Sequence, residues 1–285
     1  MYKPLLSLLL ALPASGLLAE ANTDLMKNGQ ALKATHIAKI EQAATPEIKG
    51  LAIAQEADRR DLGWLDSTAD MQMILTNKQG ERSERQIRIK SREVGGDDSG
   101  DKSLTIFDSP KDVKGTAFLS FSHIVSPDEQ WLYLPALKRV KRISSSNKSG
   151  PFMGSEFAFE DLSSFEVGKY TYKFLGNEKI QDQDVFKVEY YPTYKHSGYS
   201  KMISWIDQKE FRVLKTEFYD RKSALLKTLT YSDYQQYLGQ YWRAHKMVMT
   251  NHQSEKETQL LWSNYQFKVG LNDADFNKNS LKRAR

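Results

Sequence analysis

The stretch Ala69–Ser91, ADMQMILTNKQGERSERQIRIKS, contains the pattern that most of the chain repeats. Apolar and polar residues alternate over Met71–Leu75, residues of the turn-forming kind follow at Asn77–Gly80, and the alternation resumes from Arg85. Successive side chains of a strand point to opposite faces, so alternation of this kind places one face against a core. The stretch therefore predicts a β-hairpin with a half-buried face.

Short runs of the same kind continue towards the C terminus. They are rich in Val, Ile, Thr and aromatic residues and are bounded by turn residues, as antiparallel strands are. The runs are Ser103–Phe107, Thr116–Ser122, Gln130–Leu134, Lys138–Ile143, Lys169–Leu175, Val185–Tyr191, Lys201–Ile206, Arg212–Phe218, Leu226–Tyr234, Tyr241–Thr250 and Leu260–Phe267. We expect a mainly β fold of the α+β kind, with one antiparallel sheet of roughly eleven strands closed or half closed into a barrel.

Two helices are predicted before the sheet. The first rests on apolar residues at roughly helical spacing, which are Leu25, Leu32, Ile37 and Ile40. In the second, Thr45 is an N-cap, Pro46 takes the first helical position and Gly63 is placed to end the helix. Its expected apolar face is Ile48, Leu51, Ala52 and Gln55. Several strands carry apolar residues on both faces, so we expect the helices to cover the sheet. The sequence leaves open whether the enclosed interior is a filled core or a cavity.

The first residues have the features of an export signal. Lys3 precedes the apolar run Leu5–Leu12, and the small-residue sequence Ala19-Glu20-Ala21 follows it. The run is shorter than the about 20 residues that a transmembrane helix needs. We therefore predict a signal peptide over residues 1–21, cleaved after Ala21 with Ala19 as the alternative site, and a single domain over residues 22–285 in the periplasm.

Composition and motifs exclude several classes of function. The chain has a net charge of +5 and no cysteine, so thiol chemistry and disulfides are absent. No G-x-S-x-G elbow, phosphate-binding loop, dinucleotide-binding glycine pattern or H-E-x-x-H motif occurs. The five histidines lie far apart, at His36, His123, His196, His245 and His252. We predict no catalytic residue, no metal site and no cofactor.

A basic cluster at residues 138–142 has three possible interpretations. Beside Trp131 and Tyr133 it fits nucleic acid, but export from the cytosol argues against such a partner, so none is predicted. A half-buried guanidinium needs a carboxylate or a phosphate. The remaining alternatives are an ion pair between Arg142 and Asp161, and an anionic lipid headgroup held by Arg139 or Arg142 at the rim of the interior.

The loop after this cluster places two hydrophobic residues between glycines. Phe152 and Met153 follow Gly150-Pro151 and precede Gly154. Exposed hydrophobic residues beside flexible glycines would form a mobile gate over an apolar interior. The same residues could instead pack into the core as a plug, and the sequence does not decide between the two.

Four motifs carry a resemblance to a known family. They are FDSPKDVKGT at Phe107–Thr116, WLYLPALKRVKRI at Trp131–Ile143, FMGS at Phe152–Ser155 and FEDL at Phe159–Leu162. As a set in this order they resemble the outer-membrane lipoprotein-sorting protein family, which comprises LolA-like periplasmic proteins often associated with RND/MMPL-type exporters. The resemblance implies a half-open antiparallel β-barrel with a helical lid over a hydrophobic cavity that carries lipid or lipoprotein acyl chains.

Candidate site residues follow from these motifs. The residues expected at the cavity rim are Tyr133, Arg139, Arg142, Phe152 and Met153. Those expected to shape or gate the loop are Gly115, Pro135, Gly154 and Asp161. We expect a monomeric, non-enzymatic carrier that touches a membrane transiently and works with an inner-membrane RND/MMPL exporter. A lipid hydrolase with the same cavity and a non-carrier accessory subunit of an exporter are the alternatives.

Overall fold

The computed structural model describes residues 35–95 and 99–283, and its main feature is one antiparallel sheet of thirteen strands. The strands are β1 (Asp66–Thr76), β2 (Arg82–Arg92), β3 (Ser99–Ser109), β4 (Ala117–His123), β5 (Glu129–Leu134), β6 (Arg139–Ile143), β7 (Tyr170–Ile180), β8 (Gln183–Pro192), β9 (Tyr199–Asp207), β10 (Val213–Asp220), β11 (Leu225–Tyr237), β12 (Tyr241–Asn251) and β13 (Lys256–Phe267). The predicted signal peptide, together with Leu25 and Leu32 of the first predicted helix, lies outside the described residues.

The strand order runs β6-β5-β4-β3-β2-β1-β13-β12-β11-β10-β9-β8-β7. Strand β1 pairs with β13, so the first and last strands meet in the middle of the sheet. Strands β6 and β7 form the two edges, and the sheet is not closed between them. The predicted fold class is therefore confirmed. The expected count of roughly eleven is too low, because the first hairpin and every later run each form strands.

The sheet buries hydrophobic residues on both faces. In β3, β4 and β5, the side chains of Phe107, Phe118 and Leu132 belong to a large cluster on one face, called the inner face. Their neighbours point the other way and pack beneath the C-terminal segment on the outer face, where Leu281 of α2 (Lys278–Arg283) is fully buried. Because both faces are covered, apolar residues occur at both odd and even positions along these strands.

Helix α1 (Pro46–Arg60) packs on edge strand β7. Its start is as predicted, with Thr45 Oγ1 accepting a hydrogen bond of 3.2 Å from the Ile48 N–H. The predicted apolar face is wrong, because Ile48 is 52% and Leu51 38% exposed. The buried face instead includes Gly50 and Ile53. No helix within the described ranges combines the length and apolarity needed to span a bilayer.

Gly50 sets the distance between α1 and β7. A Cβ atom added there would lie 2.9 Å from the backbone nitrogens of Lys173 and Phe174, which is closer than side chains tolerate. We expect Gly50→Ala to push the helix off the strand and to lower the free energy of unfolding by about 1–3 kcal/mol, the usual cost of overpacking. Urea denaturation would measure the change.

The matched control is Gly95→Ala, where an added Cβ atom has no neighbour within 4 Å. This variant should leave the free energy of unfolding within about 0.5 kcal/mol of the parent. Equal stability of the two variants would contradict the assigned role of Gly50.

Candidate functional site

Residues 144–169, called the crossing segment, connect edge strand β6 to edge strand β7 across the inner face of the sheet. The segment contains three short 3₁₀ turns, at Ser145–Asn147, Phe159–Leu162 and Val167–Lys169. It includes the loop that the sequence left open as a gate or a plug.

Phe152 packs as a plug in this structure. The side chain is 1% exposed, and its ring centroid lies 5.2 Å from that of Phe118 and 5.5 Å from that of Phe159. Met153 and Gly154 follow with φ angles of 50° and 78°, so the chain turns sharply here. The Met153 carbonyl accepts a hydrogen bond of 2.5 Å from Arg85 Nη1. Aromatic packing and this hydrogen bond hold the tip of the loop against the sheet.

Asp161 forms an ion pair with Lys227 of β11. Lys227 Nζ lies 2.7 Å from Asp161 Oδ2, and the two side chains are 4% and 8% exposed. The same carboxylate accepts hydrogen bonds from the Tyr199 hydroxyl and from the Ala158 N–H, each at 2.7 Å. A buried pair in which both carboxylate oxygens are bonded is costly to break from one side. It ties the middle of the crossing segment to β9 and β11.

Other polar contacts fix the remainder of the crossing segment. Glu160 accepts hydrogen bonds from the Gly198 N–H at 2.7 Å and from Ser197 Oγ at 2.9 Å, in the turn between β8 and β9. At its two ends, Lys148 and Lys169 both contact Asp128 in the turn between β4 and β5. The segment is therefore bonded to strands or turns on both sides of the open sheet.

The basic strand β6 lies away from these contacts. Arg142 Nη2 donates to Glu129 Oε1 of β5 at 2.9 Å, so the hypothesis of an Arg142–Asp161 ion pair is wrong. The physical reason is that Asp161 lies inside the fold, whereas Arg142 is on the outer face, opposite Trp131. Arg139 is exposed at the start of the edge strand, and Tyr133 packs on the outer face.

The remaining predicted residues form turns. Gly115, with a φ of 78°, ends the turn between β3 and β4, and its N–H donates to the Phe107 carbonyl at 2.8 Å. Pro135 begins a 3₁₀ turn between β5 and β6. Of the nine predicted site residues, Asp161 alone lines a cavity among those described below. The ligand and gating roles of the nine stay predictions.

A first cavity of about 850 Å³, called cavity 1, lies between α1 and the inner face of strands β7–β13. Aromatic residues are prominent in its walls, among them Tyr172, Tyr190, Tyr231, Tyr234, Trp242 and Tyr265. A polar strip crosses them, in which Ser204 Oγ lies 2.8 Å from both the Tyr190 hydroxyl and Thr216 Oγ1. The cavity can therefore accept an apolar body and still offer it hydrogen-bonding groups.

A second cavity of about 740 Å³, called cavity 2, lies beside the crossing segment. Asp161, Met202, Phe218 and Leu229 are among its lining residues. The two cavities share a wall made by Ser164, Phe165, Tyr190, Thr216 and Tyr231. Phe165 is 47% exposed, so it is the least confined aromatic residue of this wall. The interior is thus filled near β1–β5 and hollow towards β7–β13.

Sequence reasoning missed these lining residues. The tyrosines belong to strands that the sequence predicted correctly. The alternation of apolar and polar residues along these strands is the same whether the space at the inner face is filled or hollow. One signal was present, because tyrosine buried in a sheet needs a partner for its hydroxyl. Tyr190 and Tyr231 carry this signal, which an ordinary aliphatic core would not show.

Cavity 1 reaches the protein surface at the exposed lining residues Asp61, Leu62, Gly239 and Gln240, which we call its mouth. Its lining carries more carboxylates than guanidinium groups free to balance them. All four arginines of its lining are already paired with carboxylates, since Arg59 and Arg60 bond Glu56, Arg212 bonds Asp207 and Arg243 bonds Asp61. Four further carboxylates line the same cavity, at Asp58, Glu93, Asp101 and Glu210. An anion entering here would have to displace a carboxylate from an arginine.

Two carboxyl groups near the shared wall have strongly raised pKa values. Burial raises the pKa of Glu166 to about 7, and the negative charge of Asp101 adds to the effect. Burial also raises the pKa of Asp101 to about 6, against hydrogen bonds from Val94 and Ser164. Glu166 lies directly on β3, since a Cβ atom at Gly100 would be 2.2 Å from its Oε1. The end of the crossing segment is therefore sensitive to pH.

Two arrangements relevant to chemistry are not found in the described part of the chain. No group of three or more His, Asp or Glu side chains in residues 35–95 and 99–283 is placed to hold a metal ion. The second arrangement is a serine bonded to a histidine, as in a hydrolase. The sequence neighbours Ser122 and His123 do not form it, because their side chains make different contacts. Ser122 Oγ accepts a hydrogen bond from the Ser164 N–H, whereas His123 Nε2 lies 3.8 Å from Glu129 Oε2.

Comparisons with known proteins place the chain in a family. A family model described as an uncharacterized protein matches residues 99–283, which is more than half of the chain. A DUF1329 family protein from Desulfovibrio piger is 32% identical, with 84% of this chain and 100% of that chain covered and a TM-score of 0.79. The chain belongs to the DUF1329 family. No curated protein matches it.

Two further solved structures resemble this DUF1329 protein. A domain from Vibrio parahaemolyticus, provisionally described as an outer-membrane lipoprotein-sorting protein, is 63% identical, covers 82% of this chain and 99% of its own, and has a TM-score of 0.80. A LolA superfamily protein from Nitrosomonas europaea is 22% identical, covers 84% and 100%, and has a TM-score of 0.65, which shows a common fold. The resemblance inferred from the sequence motifs is confirmed.

The buried ion pair of this DUF1329 protein should behave asymmetrically on mutation. Lys227→Met leaves the Asp161 carboxylate buried without a cation, so we expect a loss of about 3–5 kcal/mol in the free energy of unfolding. The double variant Asp161→Asn with Lys227→Met removes both charges and should recover most of that loss. Urea denaturation of the three proteins measures both effects, and a loss below about 1 kcal/mol in Lys227→Met would contradict the structure.

The raised pKa of Glu166 predicts a dependence of stability on pH. The folded state binds this proton more tightly than the unfolded chain, whose carboxyl titrates near 4.5. The free energy of unfolding should therefore fall as pH rises from about 4.5 to about 7. Glu166→Gln should flatten this dependence on pH and should raise the free energy of unfolding above pH about 7, where the parent carboxyl is charged.

Thermal unfolding over a series of pH values gives the measurement. Glu41 provides a matched control, since Glu41→Gln removes the same charge at an exposed position that lines neither cavity. A Glu166→Gln variant with the parental pH profile would show that this carboxyl titrates normally.

Proposed function

We propose that this protein is a carrier that binds lipid or lipoprotein acyl chains in its hollow interior and catalyses no reaction. The observation that carries the proposal is the pair of adjoining cavities, of about 850 and 740 Å³, on the inner face of the half-open sheet. Pockets of this size, lined mainly by aromatic and apolar side chains, are typical ligand sites. The similar domain from Vibrio parahaemolyticus is described with lipoprotein sorting, which supports the same class of cargo.

Burial of hydrocarbon supplies the driving force for binding. Each methylene group moved from water into an apolar site contributes about 0.8 kcal/mol. Cavity 1 has room for such a chain beside its tyrosines, and the strip of Tyr190, Ser204 and Thr216 offers hydroxyl groups to an ester or amide of the cargo. The shared wall allows a second chain to occupy cavity 2, which fits a cargo with more than one acyl group.

The charges at the mouth of cavity 1 favour a neutral or cationic polar end on the cargo. Its arginines are already bonded to carboxylates, and Asp58, Glu93 and Asp101 add further negative charge. This proposal replaces the anionic headgroup that the sequence assigned to Arg139 and Arg142. Those two arginines lie on the edge strand β6 and are absent from the linings of both cavities.

The compartment and the partners belong to the proposal as well. A periplasmic carrier with a cleaved signal peptide fits the sequence of residues 1–21. Acyl chains would come from a membrane-bound donor, for which the RND/MMPL-type exporter predicted from the resemblance is our candidate. The monomeric state predicted from the sequence stays a prediction.

Bound lipid in the purified protein is the direct test. We expect native mass spectrometry of protein from the periplasmic fraction to show an adduct, and solvent extraction to identify an acylated molecule. The variant Ala57→Trp fills cavity 1 from α1 and should reduce the adduct at least about tenfold, because one large side chain removes much of the room for an acyl chain. Ala274→Trp, on the exposed side of the turn Asp273–Asp275 and outside both cavity linings, is the matched control.

Three outcomes separate the alternatives. Several preparations without any lipid, under conditions that preserve non-covalent complexes, would overturn the carrier proposal and favour an accessory subunit. Turnover of an added phospholipid, lost on mutation of one Ser or His, would identify a hydrolase. Equal lipid content in Ala57→Trp and the parent would exclude cavity 1 as the site.

A further inference from the structure

The connections between strands divide into two sets at opposite ends of the sheet. In an antiparallel sheet with hairpin connections, alternate turns lie at the same end. Six turns at one end, called the basic end, span residues 77–81, 110–116, 135–138, 193–198, 221–224 and 252–255. Contacts between neighbouring turns confirm their proximity. Lys78 Nζ lies 2.7 Å from Glu255 Oε1, and Arg221 Nε donates to the Ser197 carbonyl at 2.9 Å.

The two ends differ in charge. The six turns of the basic end contain seven Lys or Arg residues and three acidic residues. The seven are Lys78, Lys111, Lys114, Lys138, Lys195, Arg221 and Lys222. The opposite end carries Asp58, Asp61, Glu93 and Asp101 in the lining of cavity 1. The molecule is therefore electrically polar along its strands, with cavity 1 opening at the acidic end.

The cations of the basic end are available to a partner. Lys111, Lys114, Lys138, Lys195 and Lys222 are all exposed, and the structure describes no ion pair for any of them within residues 35–95 and 99–283. Exposed lysines without a carboxylate partner among the described residues can meet an external anion. They lie on several separate turns, so their positive charge is distributed over this end of the sheet and is not concentrated in one groove.

An exposed hydrophobic residue accompanies this charge. Leu137 is 59% exposed on the 3₁₀ turn Pro135–Leu137, immediately before Lys138. Lys138 itself adopts a left-handed conformation with a φ of 49°, which ends that turn immediately before β6. An apolar side chain at the tip of a turn, flanked by cations, matches the boundary between lipid headgroups and acyl chains.

We propose that the basic end docks on the surface of a lipid bilayer that carries anionic phosphate headgroups. A bilayer presents many phosphates over a broad plane, as the distributed lysines require, whereas an acidic peptide would need a groove. Leu137 enters the headgroup region while the lysines lie above it. The contact is reversible, because electrostatic attraction of this kind weakens as salt is added.

Docking in this way orients the carrier. The mouth of cavity 1 lies at the opposite end of the strands, so it faces away from the bilayer on which the protein rests. Cargo would then enter or leave cavity 1 through a partner above the membrane surface. The docking itself does not depend on what the cavities hold, so its test is separate from that of the carrier proposal.

Vesicle co-sedimentation tests the docking surface. The probes are vesicles of phosphatidylcholine alone and vesicles of phosphatidylcholine mixed with phosphatidylglycerol, at low and at high salt. We expect the full protein to sediment with the anionic vesicles at low salt and to be released by high salt. The triple variant Lys111→Glu, Lys114→Glu and Lys138→Glu should lower the partition coefficient at least about tenfold.

A second triple variant controls for net charge. Lys173→Glu, Lys209→Glu and Lys268→Glu make the same charge change at exposed positions outside the basic end, and this variant should lose less than about threefold in partition. Circular dichroism of both variants checks that they fold. Absence of sedimentation with anionic vesicles, equal loss in the two triple variants, or binding to poly-glutamate in place of vesicles would each overturn the proposal.

Discussion

The buried ion pair between Lys227 and Asp161 is the contact on which the interior of this protein depends. A half-open sheet exposes its concave face unless something crosses the gap between its edges. The crossing segment does so, and the Lys227–Asp161 pair, 4% and 8% exposed, holds its middle against the far strands. Both oxygens of the carboxylate are bonded, since the Tyr199 hydroxyl and the Ala158 N–H donate to it as well. The pair is thus a fixed point rather than a weak surface contact.

The same attachment explains why the interior is only partly filled. Phe152 anchors the crossing segment beside β3 and β4, where aromatic rings pack at 5.2–5.9 Å. Beyond the Lys227–Asp161 pair, the segment turns towards β7 and no longer fills the concave face. Phe165 and Tyr190 then divide the remaining space into two cavities. The crossing segment therefore fills one half of the concave face and leaves the other half hollow.

Charge distribution is the second organising feature. Successive turns of an antiparallel sheet lie at opposite ends. Basic residues in every second turn therefore collect at one end of the sheet. Five exposed lysines without a described ion pair lie on the turns of one end, and the carboxylates that line cavity 1 lie towards the other. Within the acidic group, burial and mutual repulsion hold the pKa of Glu166 at about 7. The end of the crossing segment that carries Glu166 is therefore expected to respond to pH near neutrality.

The sequence alone determined the strands and the start of α1, because alternation and capping are local patterns. Every predicted run is a strand, and Thr45 caps the helix as expected. It did not determine which face of α1 is buried, since the close approach at Gly50 depends on β7. Nor did it pair Arg142 with Glu129 and Asp161 with Lys227, partners that only the strand register brings together. The hollow near Tyr190 and Tyr231 is likewise tertiary, because alternation reports which side chains face inward and not whether the space before them is filled.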